Sequence, residues 1–396
     1  IQNCAIDGLS IDPDDVADDQ NNNSITKHRW IVLYGTNNTV VEGNVGYDFI
    51  GHGYFLENGS ETGNLFKNNL GVVCKRPVEG EETTPHDLGI GAQNGAHPEA
   101  FPATFWITNP NNDYIGNVSA GSDGSGFWHL ILNKVLDGPD QNYRPGIQPM
   151  GIFNDNKAHS NLFSWGVDGG VDRDSDEIVN GHYRPQNSDG SQFIPEIHRF
   201  DGYKSVDRNV WIRANTMNFY DCDFGDNGRA DFFSYNQTLF NSLIVGKSAN
   251  IGNPSSASEN QAGRSLPYPE RPVDNFHNAF RGHSIYDGPS GIVNTHFDGF
   301  NQNGAKSYSF QINGASRKST NHFARGITFG PDVDENAKFD FDYNSFFSYM
   351  YLSGLIDEDG SLTGVVGANV RPLIKANPGT NNLYEKGANT QMTDAT

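Results

Sequence analysis

The chain has 396 residues, of which 45 are glycine and only 35% hydrophobic, and it carries a formal net charge of -21. That composition excludes a helical bundle, and the charge repels polyanions at long range, so nucleic acid is excluded as a partner. No apolar run is long enough to cross a bilayer, so this segment does not span a membrane; Cys4, Cys74 and Cys222 permit at most one internal disulfide.

The opening Ile1-Gln2-Asn3-Cys4-Ala5-Ile6 reads as the inside of a strand, so we expect the chain to begin part-way through a larger protein and to lack N-terminal coils. An acidic tract from Asp12 to Asp19 follows, read as an exposed insertion. From Trp30 to Cys74 short runs recur: Trp30 to Tyr34, Val40-Val41, Tyr54-Phe55-Leu56, Leu65-Phe66 and Val72-Val73, separated by Asn and Gly. None keeps a helical period, and strands this short must stack on neighbours of their own kind. Asn44 and Asn64 are expected inside, where stacked amides can satisfy one another.

Residues 75 to 103 form a Gly-, Pro- and His-rich loop excursion, after which turns resume at Thr104 to Ile107, Ser119 to Gly121, Gly126 to His129, Gly151 to Phe153 and Ala158 to Asn161. A second acidic loop spans Asp168 to Gln192. Further turns are expected at Ile197 to Tyr203, Asn209 to Arg213, Asn218 to Phe224, Phe240 to Val245, Gly291 to Phe297, Tyr308 to Ile312 and Lys338 to Tyr349, with a Gly/Ser/Pro-rich loop from Ser248 to Pro272. The uneven spacing predicts an all-β chain, a right-handed parallel β-helix of the pectate-lyase-like solenoid kind with long loop insertions, over residues 1–365. Residues 366–396 are expected to be a polar extension or cap.

The motifs Gly51 to Gly59, Phe105 to Asn112, Gly126-Phe127-Trp128, Asn156 to Asn161, Arg208 to Arg213, Asp226-Asn227-Gly228 and Asp357 to Gly364 resemble the β-helix of cell-migration-inducing hyaluronan-binding protein, transmembrane protein 2 and the fibrocystin-like proteins. The resemblance implies an extracellular protein acting on hyaluronan or a related uronate-containing polysaccharide, with a G8-like domain or remaining coils upstream. Five sequons, at Asn22, Asn37, Asn58, Asn117 and Asn236, are compatible with secretion.

Elimination from an acidic glycan needs a neutralised uronate, a base and an acid, whereas hydrolysis needs paired carboxyl groups. Candidate catalytic residues are His52, Glu57 and His159. His52 and Glu57 face each other only if a turn redirects the strand; otherwise they are a stacked corner histidine and an exposed glutamate. Trp128 and His129 are candidate sugar contacts, and Arg199, Lys204, Arg208 and Arg213 are candidate uronate clamps or partners of nearby aspartates. His283 and Asp287 form a secondary candidate pair. No cofactor is required; clustered oxygen ligands at Asp221, Asp223, Asp226 and Asn227, and again at Asp357, Glu358 and Asp359, are candidate Ca2+ sites or solvated turns. A noncatalytic glycan-binding or adhesion module is the alternative reading, and a structural stalk the third.

Overall fold

The computed structural model describes residues 1–7, 29–75, 102–135, 140–168, 171–172, 177–178, 183–205, 208–228, 230–234, 236–251, 280–285, 288–301, 307–312, 319–341, 354–371 and 391–393. The Asp12 to Asp19 tract, most of the 75–103 loop, Asn22 and Asp287 lie outside those residues. No helix among the described residues is long and apolar enough to cross a membrane.

Two compact units divide the chain: Ile1–Pro195 with Phe200–Val206 and Asn253–Pro267, and Glu196–Arg199 with Asp207–Gly252 and Tyr268–Thr396. Both are right-handed parallel β-helices, in which the chain visits three sheets in turn and each coil pairs in parallel with the next. In the N-terminal unit the first sheet contains Ala5–Asp7, Val45–Ile50, Leu70–Lys75, Val118–Ser122, Lys157–His159 and Asp201–Tyr203. Its second sheet runs from Ile31–Leu33 through Tyr54–Leu56, Ala103–Ile107 and Ser125–His129 to Phe163–Asp168, and its third from Val40–Glu42 to Phe153–Asn154. The other unit repeats the plan, with Arg208–Arg213, Ala230–Ser234, Phe280–Ile285, Ser307–Ile312 and Phe339–Phe341 as its second sheet. In the C-terminal tail Ala368–Arg371 pairs antiparallel with Leu355–Asp357, and Gln391–Thr393 pairs antiparallel with Ala368–Arg371.

A single left-handed residue makes each corner between the third and first sheets. Asn3, Gly43, Asn68, Gly116 and Asp155 serve in the N-terminal unit, and Asp221, Asn241, Asn294 and Gly326 in the other. Gly, Asn and Asp tolerate this conformation at low cost, which is why such short strands can change sheet without a long loop. The turns expected at Asn218 to Phe224 and Phe240 to Val245 each span two strands in different sheets, which meet at Asp221 and Asn241.

Inside the N-terminal unit, rings stack one per coil. Tyr54, Phe105 and Phe127 lie with centroids 4.5 Å apart, and Phe66 and Tyr114 at 4.7 Å. Beside them runs an amide ladder in which Asn44, Asn69 and Asn117 each donate Nδ2–H to the Oδ1 of the next rung, ending at Asn156, over 2.9, 2.9 and 3.1 Å. Asn64 belongs to a separate ladder with Asn112. The two amides expected to stack thus hold different corners. Asn117 also donates to Phe66 O, and its Oδ1 accepts the Asn69 backbone N–H. Asn117→Ala would orphan several buried groups at once, and a loss of about 3 kcal/mol or more is expected from the shift in urea midpoint. A loss under about 1 kcal/mol would show that the ladder does not hold the coils together.

Burial changes the meaning of two sequons. Asn117 is a ladder rung with no exposure, and Asn58 is buried with its Oδ1 bonded to Ser60, so neither presents its amide to solvent. All three cysteines are free, with Cys74 and Cys222 buried.

Candidate functional site

The outward face of the first sheet in the N-terminal unit collects the most chemistry. Parallel register places Tyr47, Val72, Ala120, His159 and Tyr203 side by side, one from each coil. Tyr47 is exposed and the other four are partly so. The His159 and Tyr203 rings stack in parallel, with centroids 4.8 Å apart and planes 10° from each other. Lys157 on the same strand as His159 pairs with Asp201 at 2.7 Å, and Lys75 pairs with Asp48 farther along the face.

The next residue on each coil is left-handed: Asp48, Val73, Gly121, Ser160 and Lys204. This aligned kink bends every strand at one edge of the face and sets Lys204 directly after Tyr203. Asp48 and Ser160 pay little for the conformation, but Val73 is β-branched and strained there, at φ 61. Burial, and then the Lys204 charge, hold the His159 imidazole below its ordinary pKa, so it is a neutral base at neutral pH. Burial chiefly raises the Tyr203 hydroxyl, while Lys157 and Asp201 pull it in opposite directions; it remains a proton donor.

The other sequence candidates lie elsewhere. His52 is fully buried at the entrance to the second sheet, where Nδ1 accepts the Ala103 N–H at 2.9 Å and the ring packs 4.2 Å from Trp106 and 5.3 Å from Phe55. Glu57 is half-buried at the far end of the next strand, where its backbone N–H donates to Leu33 O. Trp128 is buried with Trp106, Leu130 and Leu132, and lies across Gly166, where any side chain would collide with its ring. His129 points into the coil interior and accepts the Trp165 Nε1–H at 2.9 Å.

In the second unit, the Arg208 guanidinium sits 3.9 Å over the Trp211 ring and that of Arg213 lies 6.0 Å from it. Arg199 carries a left-handed φ of 54° after Glu196–His198. His283 is buried against Phe232 and Phe310, with Nε2 2.9 Å from Ser234 Oγ. Of the first four proposed metal ligands, Asp221 and Asp223 are exposed, Asp226 accepts the Ser248 N–H and O–H at 2.7 Å, and Asn227 donates to Asp231 at 2.6 Å. Among the described residues, no group of three or more His, Cys, Asp or Glu side chains could hold a metal ion.

The fold therefore brings His159 and Lys204 together and adds Tyr203, Lys157 and Asp201, which the sequence reading did not single out as site residues. Their only signal is alternation around His159 and Tyr203. Loops of different length separate the coils, as the ladder rungs 25, 48 and 39 residues apart make plain, so no fixed period joins them.

The family model described as the CEMIP β-helix matches residues 16–166. Human Cell migration-inducing and hyaluronan-binding protein is 28% identical over 396 residues, which cover 87% of this chain and 28% of the relative. Human Cell surface hyaluronidase CEMIP2 is likewise 28% identical, over 86% of this chain and 28% of its own length. Mouse Fibrocystin-L is 33% identical over 135 residues, 34% of this chain and 3% of that protein. The chain thus spans little more than a quarter of the first two relatives. Over their β-helix region, the chain is a homologue of the CEMIP and fibrocystin-like proteins.

Proposed function

We propose that this chain carries the glycan site of an extracellular polysaccharide-degrading enzyme acting on hyaluronan or a related uronate-containing polymer. The observation that carries the reading is the neutral His159 stacked on the protonated Tyr203, with Lys204 next in the chain, on an outward sheet face. The names of two relatives, one hyaluronan-binding and one a cell surface hyaluronidase, supply the substrate class. Lys204 neutralises the uronate carboxylate, His159 takes the proton next to it and Tyr203 gives one to the leaving oxygen. Asp48 and Asp201 on this face are each in an ion pair with a lysine, so neither is free for a paired-carboxylate hydrolysis, which favours elimination.

The test is incubation of the chain with hyaluronan, chondroitin and alginate. Shortened products that absorb in the ultraviolet as unsaturated uronates are expected. New reducing ends without that absorbance would assign the cleavage to hydrolysis and remove the base role from His159. Binding without shortening would establish the noncatalytic module instead.

A further inference from the structure

The aromatic row on the first sheet has a gap. Tyr203 is stacked on one face of His159, while the residue in register on the other side is Ala120, which has no ring to stack on the imidazole. One coil beyond Ala120 stands Val72, so His159 and Val72 are two inter-strand steps apart, roughly 9.5 Å. A ring stacks on an aromatic face at about 4.5 to 5 Å, so the interval has room for one ring and no more. Its edge is the strained backbone of Val73 and the left-handed Gly121, two residues of the aligned kink.

We propose that this slot, floored by Ala120 and walled by His159 and Val72, is the subsite for a single pyranose ring, and that Ala120 determines which ligands enter. The proposal rests on the glycan reading above and adds to it a residue that selects the ligand. The occupant is one sugar ring of the acidic polymer. The slot is apolar on its Val72 and Ala120 sides, which suits the C–H face of a pyranose, and Lys204 lies on the His159 side, where a carboxylate would be drawn.

Ala120→Phe fills the gap with a ring in register with His159 and Tyr203, extending the stack, so the fold is expected to survive with an unchanged or higher melting temperature. The experiment titrates the full chain, wild type and Ala120→Phe and Ala120→Gly, with hyaluronan hexasaccharide, and follows the His159 ring protons by NMR. Expected are wild-type binding, a loss of about tenfold or more in Ala120→Phe, and little change in Ala120→Gly. The ring-proton resonances of His159 in unliganded Ala120→Phe should shift upfield, which shows the slot to be open whatever the ligand. Wild-type binding that Ala120→Phe leaves intact would overturn the slot and spare the glycan reading. An upfield shift with no wild-type binding of the hexasaccharide would overturn both.

Discussion

Acidification is expected to unfold this protein well before its carboxylates are neutralised, because three histidines are built into it as neutral groups. Burial lowers His129 to about 3, His283 to about 3, with a smaller contribution from His322, and His322 to about 4, against an ordinary value of 6.5. The geometry agrees: His129 Nδ1 accepts from Trp165 Nε1–H and His322 Nδ1 from Ser290 N–H, so a proton on either nitrogen would meet a donor. Below pH 6.5 the unfolded chain binds a proton at each site and the folded chain does not. The stability they confer is complete above 6.5 and is lost as pH falls toward 4 and then 3, by about 1.4 kcal/mol per pH unit for each group.

Two buried acids act in the opposite sense. Burial raises Asp231 well above its usual range, with Asp226 adding to the effect and the Asn227 bond opposing it, and burial raises Glu61 against four backbone N–H donors. Their contribution is present below the unfolded carboxylate pKa and is lost as pH rises. Thermal melts monitored by tryptophan fluorescence from pH 7.5 to 4.5, roughly the window in which the histidines dominate, separate the two. His283→Gln should flatten the acid slope by one group's worth. Asp231→Asn should stabilise the chain by an amount that grows with pH. Parallel pH profiles for wild type and both variants would rule out this assignment.

The second large effect concerns turnover. His159→Ala is expected to lower kcat/KM on hyaluronan by about a hundredfold to ten-thousandfold, the range for a lost general base, with little change in melting temperature because the ring is partly exposed. Tyr203→Phe keeps the 4.8 Å stack and removes only the hydroxyl, so a comparable loss of kcat with KM preserved would mark Tyr203 as the proton donor. Removing the cation with Lys204→Met should raise KM and move the acidic limb of the pH–rate profile upward, since one of the two influences that hold His159 down would be gone. Variants of His159 that turn over normally would dismiss the face as the catalytic centre, even with hyaluronan bound.

Local chemistry made the solenoid readable from the amino-acid order. Short β-branched and aromatic runs such as Tyr54-Phe55-Leu56, separated by residues that accept left-handed backbone, admit few arrangements other than stacked coils. The amide at Asn44 was readable for the same reason, because a buried amide needs a partner of its own kind on the next coil. The motifs that carry the family resemblance were legible too. Which side of the sheet a residue faces was not. In Ile197 to Tyr203 and Asn218 to Phe224 one left-handed residue moves the chain to another sheet, and every side chain after it faces a new direction. His52, His129 and His283 consequently turn inward, where packing rather than sugar surrounds them, while His159 turns outward. The neighbours of His159 could be known only from the coil register: Ala120, Tyr203 and Lys204 reach it across loops of unequal length, and sheet hydrogen bonding, which has no counterpart in sequence distance, sets that alignment.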